Sequence, residues 1–214
     1  MTDWATVASL ATAGGTLVLA LATFGATRSA NRAARTAERA FEARLRPVLV
    51  QSRREDPLEK VMWGDGHWSR VPGGQAWVEA TAEAVYLCMS LRNVGAGMAV
   101  IHGWHAEADL QIAIGAHAAV ETFRPQSRDL YVPPTDSSFW QGAFREGDPE
   151  QLAAFGDVIG RREGFTIELL YGDLEGGQRT ISRFTVVPFG DDGDPSNWIV
   201  SVTRHWNLDR VDPR

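Results

Sequence analysis

The two histidines of the segment HGWH are the residues of this chain that most resemble a metal site. His102 and His105 are three residues apart, a spacing that places two side chains on one face of a helix but on opposite faces of a strand. The apolar residues around them favour a strand. The remaining histidines are scattered, without a carboxylate or histidine at a recognised ligand spacing: His67, His117 and His205. We therefore predict no metal site and no cofactor.

A second group of polar side chains lies in the loop GDDGDPSNW, residues 190–198. It offers oxygen atoms that suit a calcium ion, from Asp191, Asp192, Asp194 and Asn197. The loop lacks the later acidic residue that completes an EF-hand loop. We interpret it as an acidic turn, with ion binding as the alternative.

Residue patterns for covalent catalysis are missing from the sequence. It contains neither G-x-S-x-G nor a phosphate loop of the G-x-x-x-x-G-K type. No serine, histidine and aspartate occur in the chain order of a known catalytic triad with recognisable motifs around them. The single cysteine, Cys88, lies among apolar neighbours in VYLCMSL and is expected to be a small buried hydrophobe. We predict no catalytic residues and a non-enzymatic protein, with an enzyme of undetected type as an alternative.

The amino-terminal segment predicts a transmembrane helix over residues 1–27. Residues 4–27 carry no charge, and as a helix they are about 36 Å long against a hydrocarbon core of about 30 Å. The apolar side chains that we assign to the span are Trp4, Leu10, Leu17, Leu19, Leu21 and Phe24. A cleaved signal peptide would need basic residues before this run, whereas Asp3 is the only charge there.

Residues 28–46 are alanine-rich, lack glycine and proline, and predict a helical stalk that Pro47 ends. They carry six arginines against two glutamates. The juxtamembrane basic residues are Arg28, Arg32, Arg35 and Arg39. Because basic flanks stay in the cytoplasm, we expect a single-pass protein of the inner membrane with its carboxyl-terminal domain in the cytoplasm. Homo-oligomerisation through this helix is the sharper alternative to a solvated stalk.

Residues 47–214 predict an antiparallel β-sandwich of the immunoglobulin-like kind. Short segments rich in Val, Ile, Trp and Phe alternate with Gly, Pro and Asp clusters. Strands are predicted at 47–52, 60–64, 67–71, 76–81, 85–93, 98–109, 129–132, 137–144, 165–173, 179–189 and 197–206. One helix is predicted at 149–160, capped by Asp148. With 15 basic against 24 acidic side chains the domain has no electrostatic footprint for nucleic acid.

Three local patterns refine this prediction. The apolar residues of FTIELLYG alternate onto one face, and GDLEGGQ joins this strand to the next as a hairpin. Most of the seven tryptophans of the domain are expected in its core, although exposed ones would suit an outward-facing glycan-binding module. In LRNVGAGMAVI, Asn93, Gly95 and Gly97 are residue types that accept positive φ, so we predict a tight turn or bulge there without a ligand.

Taken along its length, the chain resembles a loosely defined group of bacterial single-pass membrane proteins of unknown function. The resemblance rests on residues 4–27, on the RPVLV step at 46–50, on Asn93, Gly95 and Gly97, and on YGDLEGGQ at 171–178. It implies a location and an architecture but no active site. We expect a membrane-anchored interaction or scaffolding module that binds protein partners. The alternatives are an outward-facing ligand-binding or glycan-binding sandwich and an enzyme.

Overall fold

The computed structural model describes residues 3–110, 115–190 and 193–211, without the side chains of Thr6, Arg39, Glu42 and Ala43. The chain divides into two units, Met1–Arg44 and Leu45–Arg214. The first unit is a helix and the second, called the β-domain below, consists mainly of strands.

Helix α1 runs over Trp4–Arg44, and its described side chains are exposed. By length and composition, its apolar part can cross a membrane. Four of its threonines use their hydroxyls within the helix, because Thr12, Thr16, Thr23 and Thr27 each donate to the carbonyl oxygen four residues earlier at 2.8 to 2.9 Å. The helix ends two residues before the predicted end, since a residue that precedes proline disfavours the helical conformation.

The described strands of the β-domain form one nine-stranded antiparallel sheet and a separate two-stranded hairpin. The strands are β1 Leu49–Gln51, β2 Glu59–Met62, β3 Trp68–Val71, β4 Gln75–Ala80, β5 Ala84–Asn93, β6 Ala99–Glu107, β7 Arg124–Val132, β8 Ser137–Arg145, β9 Phe165–Gly172, β10 Thr180–Pro188 and β11 Trp198–Asn207. β5 pairs with β8 on one edge and with β4 and β1 in succession on the other. The order then continues through β11, β10, β9, β6 and β7.

The sheet curls at β11, which joins its two halves. β11 pairs with β10 along its length but with β4 through only two residue pairs, Trp198 with Ala76 and Ile199 with Gln75. The main core lies between the halves and takes alternate residues of β5 and β9, such as Leu87 and Leu169. Helix α2, Pro149–Gly160, adds Phe155 and Val158 to this core.

Each half of the curled sheet also has a cover on its outer face. The hairpin β2–β3 packs Val61, Trp63 and Val71 against the outward side chains of β5, among them Tyr86 and Cys88. On the other half, Leu170, Ile181 and Trp206 form a cluster beneath Val120 and Phe123 of the β6–β7 connection. This double coverage explains why eight of the ten residues of β5 are buried in succession, from Ala84 to Leu91.

The structure confirms the predicted fold class, a mainly β antiparallel domain after a long apolar helix. The continuous sheet does not confirm the immunoglobulin-like detail. Helix α2 has the predicted bounds, and β9 and β10 form the predicted hairpin. β7 begins at Arg124, five residues before its predicted start, because Pro125 falls within an edge strand, where a missing N–H is tolerated.

Candidate functional site

A polar cleft opens in the β-domain where the edge strands β7 and β8 separate. Residues 126–129 of β7 bulge out, since Leu130 pairs with Ile101 and Pro125 with Gly103, which leaves four residues opposite His102 alone. Bulges re-aim side chains at sheet edges. Here Gln126 donates through Nε2 to the carbonyl oxygen of Gln141 on β8, at 3.0 Å. The bulge thus brings amide side chains into the gap between two strands.

Indole rings form the apolar wall of this cleft, whose volume is about 510 Å³. Trp63 and Trp104 line it, and Trp63 donates through Nε1 to the carbonyl oxygen of Gly142 at 3.0 Å. A Cβ atom at Gly142 would lie 2.7 Å from Cζ2 of Trp140 and 3.0 Å from Cζ2 of Trp104. Glycine at this position therefore lets three indoles converge.

Two ion pairs form the charged rim. Arg145 contacts Asp65 at 2.8 Å, and the two terminal guanidinium nitrogens of Arg124 donate to the carboxylate of Asp148. The Arg124 guanidinium also lies 4.9 Å from the ring centre of Phe144. Asp148 was predicted to cap α2, but its side chain makes no capping hydrogen bond. The bond from Arg124 takes its place and holds the pKa of Asp148 below the ordinary value.

Asp65 is the most strongly stabilised carboxylate of the cleft. Burial alone would raise its pKa, but hydrogen bonds from Arg145, from the backbone N–H of His67 and from the Tyr86 hydroxyl lower it to about 2. The Tyr86 ring stacks on the His67 imidazole with centroids 3.9 Å apart. The turn between β2 and β3 is thereby fixed against β5, and Asp65 stays ionised at neutral pH.

A separate arrangement, called the linker clamp below, holds residues 45–49 in the β-domain. The side-chain amide of Asn93 accepts hydrogen bonds from the backbone N–H groups of Val48 and Gly95, at 3.1 and 3.0 Å. It donates to the carbonyl oxygens of Gly97 and Val132, at 2.7 and 3.0 Å. Asn93 is fully buried, and its side chain has all four of its hydrogen-bonding positions in use.

The glycines of the linker clamp serve close packing rather than unusual backbone angles. Neither Gly95 nor Gly97 has a positive φ, contrary to the reason from which a turn was predicted. A Cβ atom at Gly95 would collide with the carbonyl oxygen of Arg46, and one at Gly97 with that of Leu45. The segment NVGAG is therefore a backbone surface on which residues 45–48 lie.

Further contacts fix the same segment from the opposite side. Arg46 pairs with Asp209 at 2.7 Å and donates to Asn207 at 3.0 Å. The backbone N–H of Leu49 donates to the hydroxyl of buried Tyr171, at 3.1 Å. Burial raises the pKa of Tyr171 to about 12, so this hydroxyl remains a neutral hydrogen-bonding group.

The structure places a buried ion pair where the sequence predicted only alternation. Glu168 and Arg183 lie on the outer face of β9 and β10, 2% and 1% exposed, with a closest contact of 2.7 Å. Each also holds the β6–β7 connection, since Glu168 accepts from the N–H of Ala118 and Arg183 donates to the carbonyl oxygen of Ala116. Both charged residues are visible in the sequence, but only the register of β9 and β10 shows that Glu168 and Arg183 face each other.

The histidine and acidic-loop predictions have simple outcomes. His102 occupies a bulge in β6 and is exposed, whereas His105 contacts Glu107 at 2.6 Å. Within residues 3–110, 115–190 and 193–211, no group of three histidine, cysteine or acidic side chains is arranged to hold a metal ion. Asp194 accepts from Ser196 in a turn. Asp191 and Asp192 lie outside the described residues.

The remaining predicted residues lie on α1 or in the core. The side chains assigned to the membrane span are all exposed, from 63% for Leu17 to 80% for Trp4, as are Arg28, Arg32 and Arg35. The side chain of Arg39 is not described. Five of the seven β-domain tryptophans are buried, as predicted, and Cys88 is 1% exposed.

Comparison with known proteins identifies no relative of this chain. No family model matches it, and no curated protein and no solved structure matches it either. A function for the chain must therefore be inferred from its own residues, above all those of the polar cleft and the linker clamp.

Proposed function

We propose that this protein is a bacterial single-pass membrane protein that holds a non-enzymatic β-domain at the cytoplasmic face of the inner membrane. The β-domain binds a partner protein through the polar cleft. The proposal rests on one observation above all: the charges of the cleft are already paired, in Arg145–Asp65 and Arg124–Asp148, beside a wall of indole rings.

Paired charges suit recognition better than catalysis. A general acid or base works best when its pKa lies near the working pH. The pKa of Asp65 is about 2 and that of Asp148 is lowered as well, so neither carboxylate carries a proton to give at neutral pH. Fixed donors and acceptors next to an aromatic wall are the features of a protein-binding site.

The burial of the two tryptophans of the polar cleft supports this proposal over a glycan-binding role for the cleft. Stacking on a sugar needs an exposed aromatic face, whereas Trp63 and Trp104 are 3% and 5% exposed. These two indole rings contribute apolar surface to the wall of the cleft. The polar side chains Gln126, Gln141 and Arg145 then provide the hydrogen bonds that select a partner.

The linker clamp supports a function at the membrane. Helix α1 ends at Arg44, and Arg46 is already bound to Asp209 and Asn207 of the β-domain. One residue therefore separates the helix from the first fixed point of the β-domain. A connection this short ties the β-domain directly to the end of α1.

Photo-crosslinking tests the polar cleft. A photoreactive amino acid at Ser127, an exposed residue that lines the cleft, is expected to give a discrete adduct in native membranes. We expect Arg145→Ala to reduce this adduct about tenfold, the effect of losing one central contact. The matched control is Arg161→Ala, which removes the exposed ion pair Arg161–Glu163 from another surface. Equal adducts in both variants would contradict a binding role for the cleft.

Thiol labelling tests the orientation in the membrane. Burial raises the pKa of Cys88 well above the ordinary value, so the wild-type chain should not react with an impermeant maleimide. In spheroplasts we expect labelling of Asp3→Cys, and labelling of Glu175→Cys only after lysis. Both positions are exposed in the structure. Labelling of Glu175→Cys in unlysed spheroplasts would place the β-domain outside.

A further inference from the structure

We propose that the exposed face of the β2–β3 hairpin lies on the surface of an anionic bilayer. This face, called the hairpin face below, consists of two facing pairs, Lys60 with Arg70 and Met62 with Trp68. The inference adds a second membrane contact to the proposed function, and rests on it for the anchor α1.

The apolar pair of the hairpin face is exposed rather than packed against the described part of the β-domain. Met62 is 61% and Trp68 59% exposed, although the opposite face of the same strands is fully buried through Val61 and Val71. Tryptophan prefers the boundary between water and hydrocarbon, because its ring is apolar and its N–H is polar. A facing pair of Trp and Met is thus suited to the headgroup region.

The charged pair of the hairpin face, Lys60 and Arg70, indicates that the surface it contacts is negatively charged. Lys60 and Arg70 face each other directly across the two strands, and facing like charges destabilise a hairpin. Arg70 also lies 5.6 Å above the Trp68 ring. Neither cation forms an ion pair with another described residue, and two such cations beside exposed apolar groups fit a negatively charged surface, although the domain as a whole carries 15 basic and 24 acidic side chains. Anionic lipid headgroups provide one.

The base of the hairpin lies close to the linker clamp within the β-domain. Asp56, at the base of the hairpin, is bound by Arg92. The next residue, Asn93, binds Val48 of the linker clamp. The hairpin therefore starts close to the residues with which the β-domain begins. Half-exposed Leu58 lies between that base and the first charged pair.

The affinity required of such a face is small. A basic residue near an anionic surface contributes about fivefold in binding. The anchor α1 makes the contact intramolecular, so that a weak site is occupied at the high effective concentration of a tether. Two cations and one tryptophan suffice under these conditions, where an untethered domain would need more.

Fluorescence of the full-length chain in vesicles tests this inference. An environment-sensitive probe is attached to Met62→Cys, with Glu175→Cys as the control site, and buried Cys88 stays unlabelled. In vesicles with about 30% phosphatidylglycerol we expect a blue-shifted emission at position 62 but not at 175. Pure phosphatidylcholine vesicles should give no shift. In Lys60→Gln/Arg70→Gln we expect the equilibrium constant for docking to fall about 25-fold, which is fivefold for each charge.

The matched control is Arg161→Gln/Arg179→Gln, which removes two exposed charges elsewhere in the β-domain. Thermal unfolding of every variant verifies that the β-domain is folded. The inference is overturned if emission at position 62 is equal in both lipids, or if the two double variants behave alike. A response in native membranes but not in protein-free anionic vesicles would assign the face to a protein partner and also overturn it.

Flotation of the same samples separates this inference from the proposed function. Flotation with both kinds of vesicle and no shift at position 62 refutes the hairpin face and leaves the anchor intact. Failure to float with phosphatidylcholine vesicles refutes the anchor. The response at position 62 to added anionic vesicles then still decides whether the hairpin face binds lipid.

Discussion

Replacement of Asn93 by leucine is expected to lower the free energy of unfolding of the β-domain by about 4 kcal/mol. Leucine is similar in size but cannot bond the backbone groups of Val48, Gly95, Gly97 and Val132 that the amide now satisfies. Each buried polar group left without a partner costs about 1 to 3 kcal/mol. Urea unfolding of the detergent-solubilised chain, followed by tryptophan fluorescence, measures the change.

Two companion variants show whether the buried amide is responsible. Asn93→Asp keeps an acceptor for Val48 and Gly95 but loses both donors, and should be almost as unstable as the leucine variant. Asn207→Leu removes an exposed amide that bonds Arg46 and should cost less than about 1 kcal/mol. A loss at Asn93 no larger than at Asn207 would show that the buried amide of Asn93 is not what stabilises the β-domain.

Breaking the buried ion pair is the second large effect. Arg183→Met should lower the free energy of unfolding by about 3 to 5 kcal/mol, because it leaves the Glu168 carboxylate buried without its cation. The double variant Arg183→Met/Glu168→Leu should be more stable than Arg183→Met alone, since it removes the uncompensated charge. Urea unfolding of both variants provides the comparison.

The exposed ion pair Arg161–Glu163 provides the control, with side chains 59% and 56% exposed. Arg161→Met should change stability by less than about 1 kcal/mol, as surface pairs do. If Arg183→Met is as mild as Arg161→Met, or if the double variant is the least stable of the three, burial of the charge is not what makes the pair important.

The elements of this fold could be predicted because their signals are local. The alternation of Phe165, Ile167, Leu169 and Tyr171 defines one face of β9, and the structure places all four in the main core. The glycine-rich connection after them forms the hairpin to β10. Helix α2 has a proline at its first turn and a run of apolar residues at helical spacing. Each pattern lies within about twelve residues of sequence.

The polar cleft could not be predicted because its residues depend on pairing between distant strands. The bulge at residues 126–129 is visible only once the register of β6 and β7 is known. Asp65 and Arg145 are 80 residues apart. A charged residue such as Arg183 in an alternating strand normally faces solvent. Arg183 is buried because the β6–β7 connection covers it, and no pattern in the sequence indicates this contact. Gly95 and Gly97 were recognised, but their reason is the contact with residues 45–48.

The position of β11 means that the curled sheet can be completed only when its last described strand has been synthesised. This strand comes last among the described strands, yet it alone links the half that contains β4 with the half that contains β10. Until Trp198–Asn207 has been synthesised, the two halves of the sheet lack the strand that joins them, and the apolar faces of the main core are not fully covered. A premature stop before Trp198 is therefore expected to leave the half that contains β4 and the half that contains β10 without the strand that joins them.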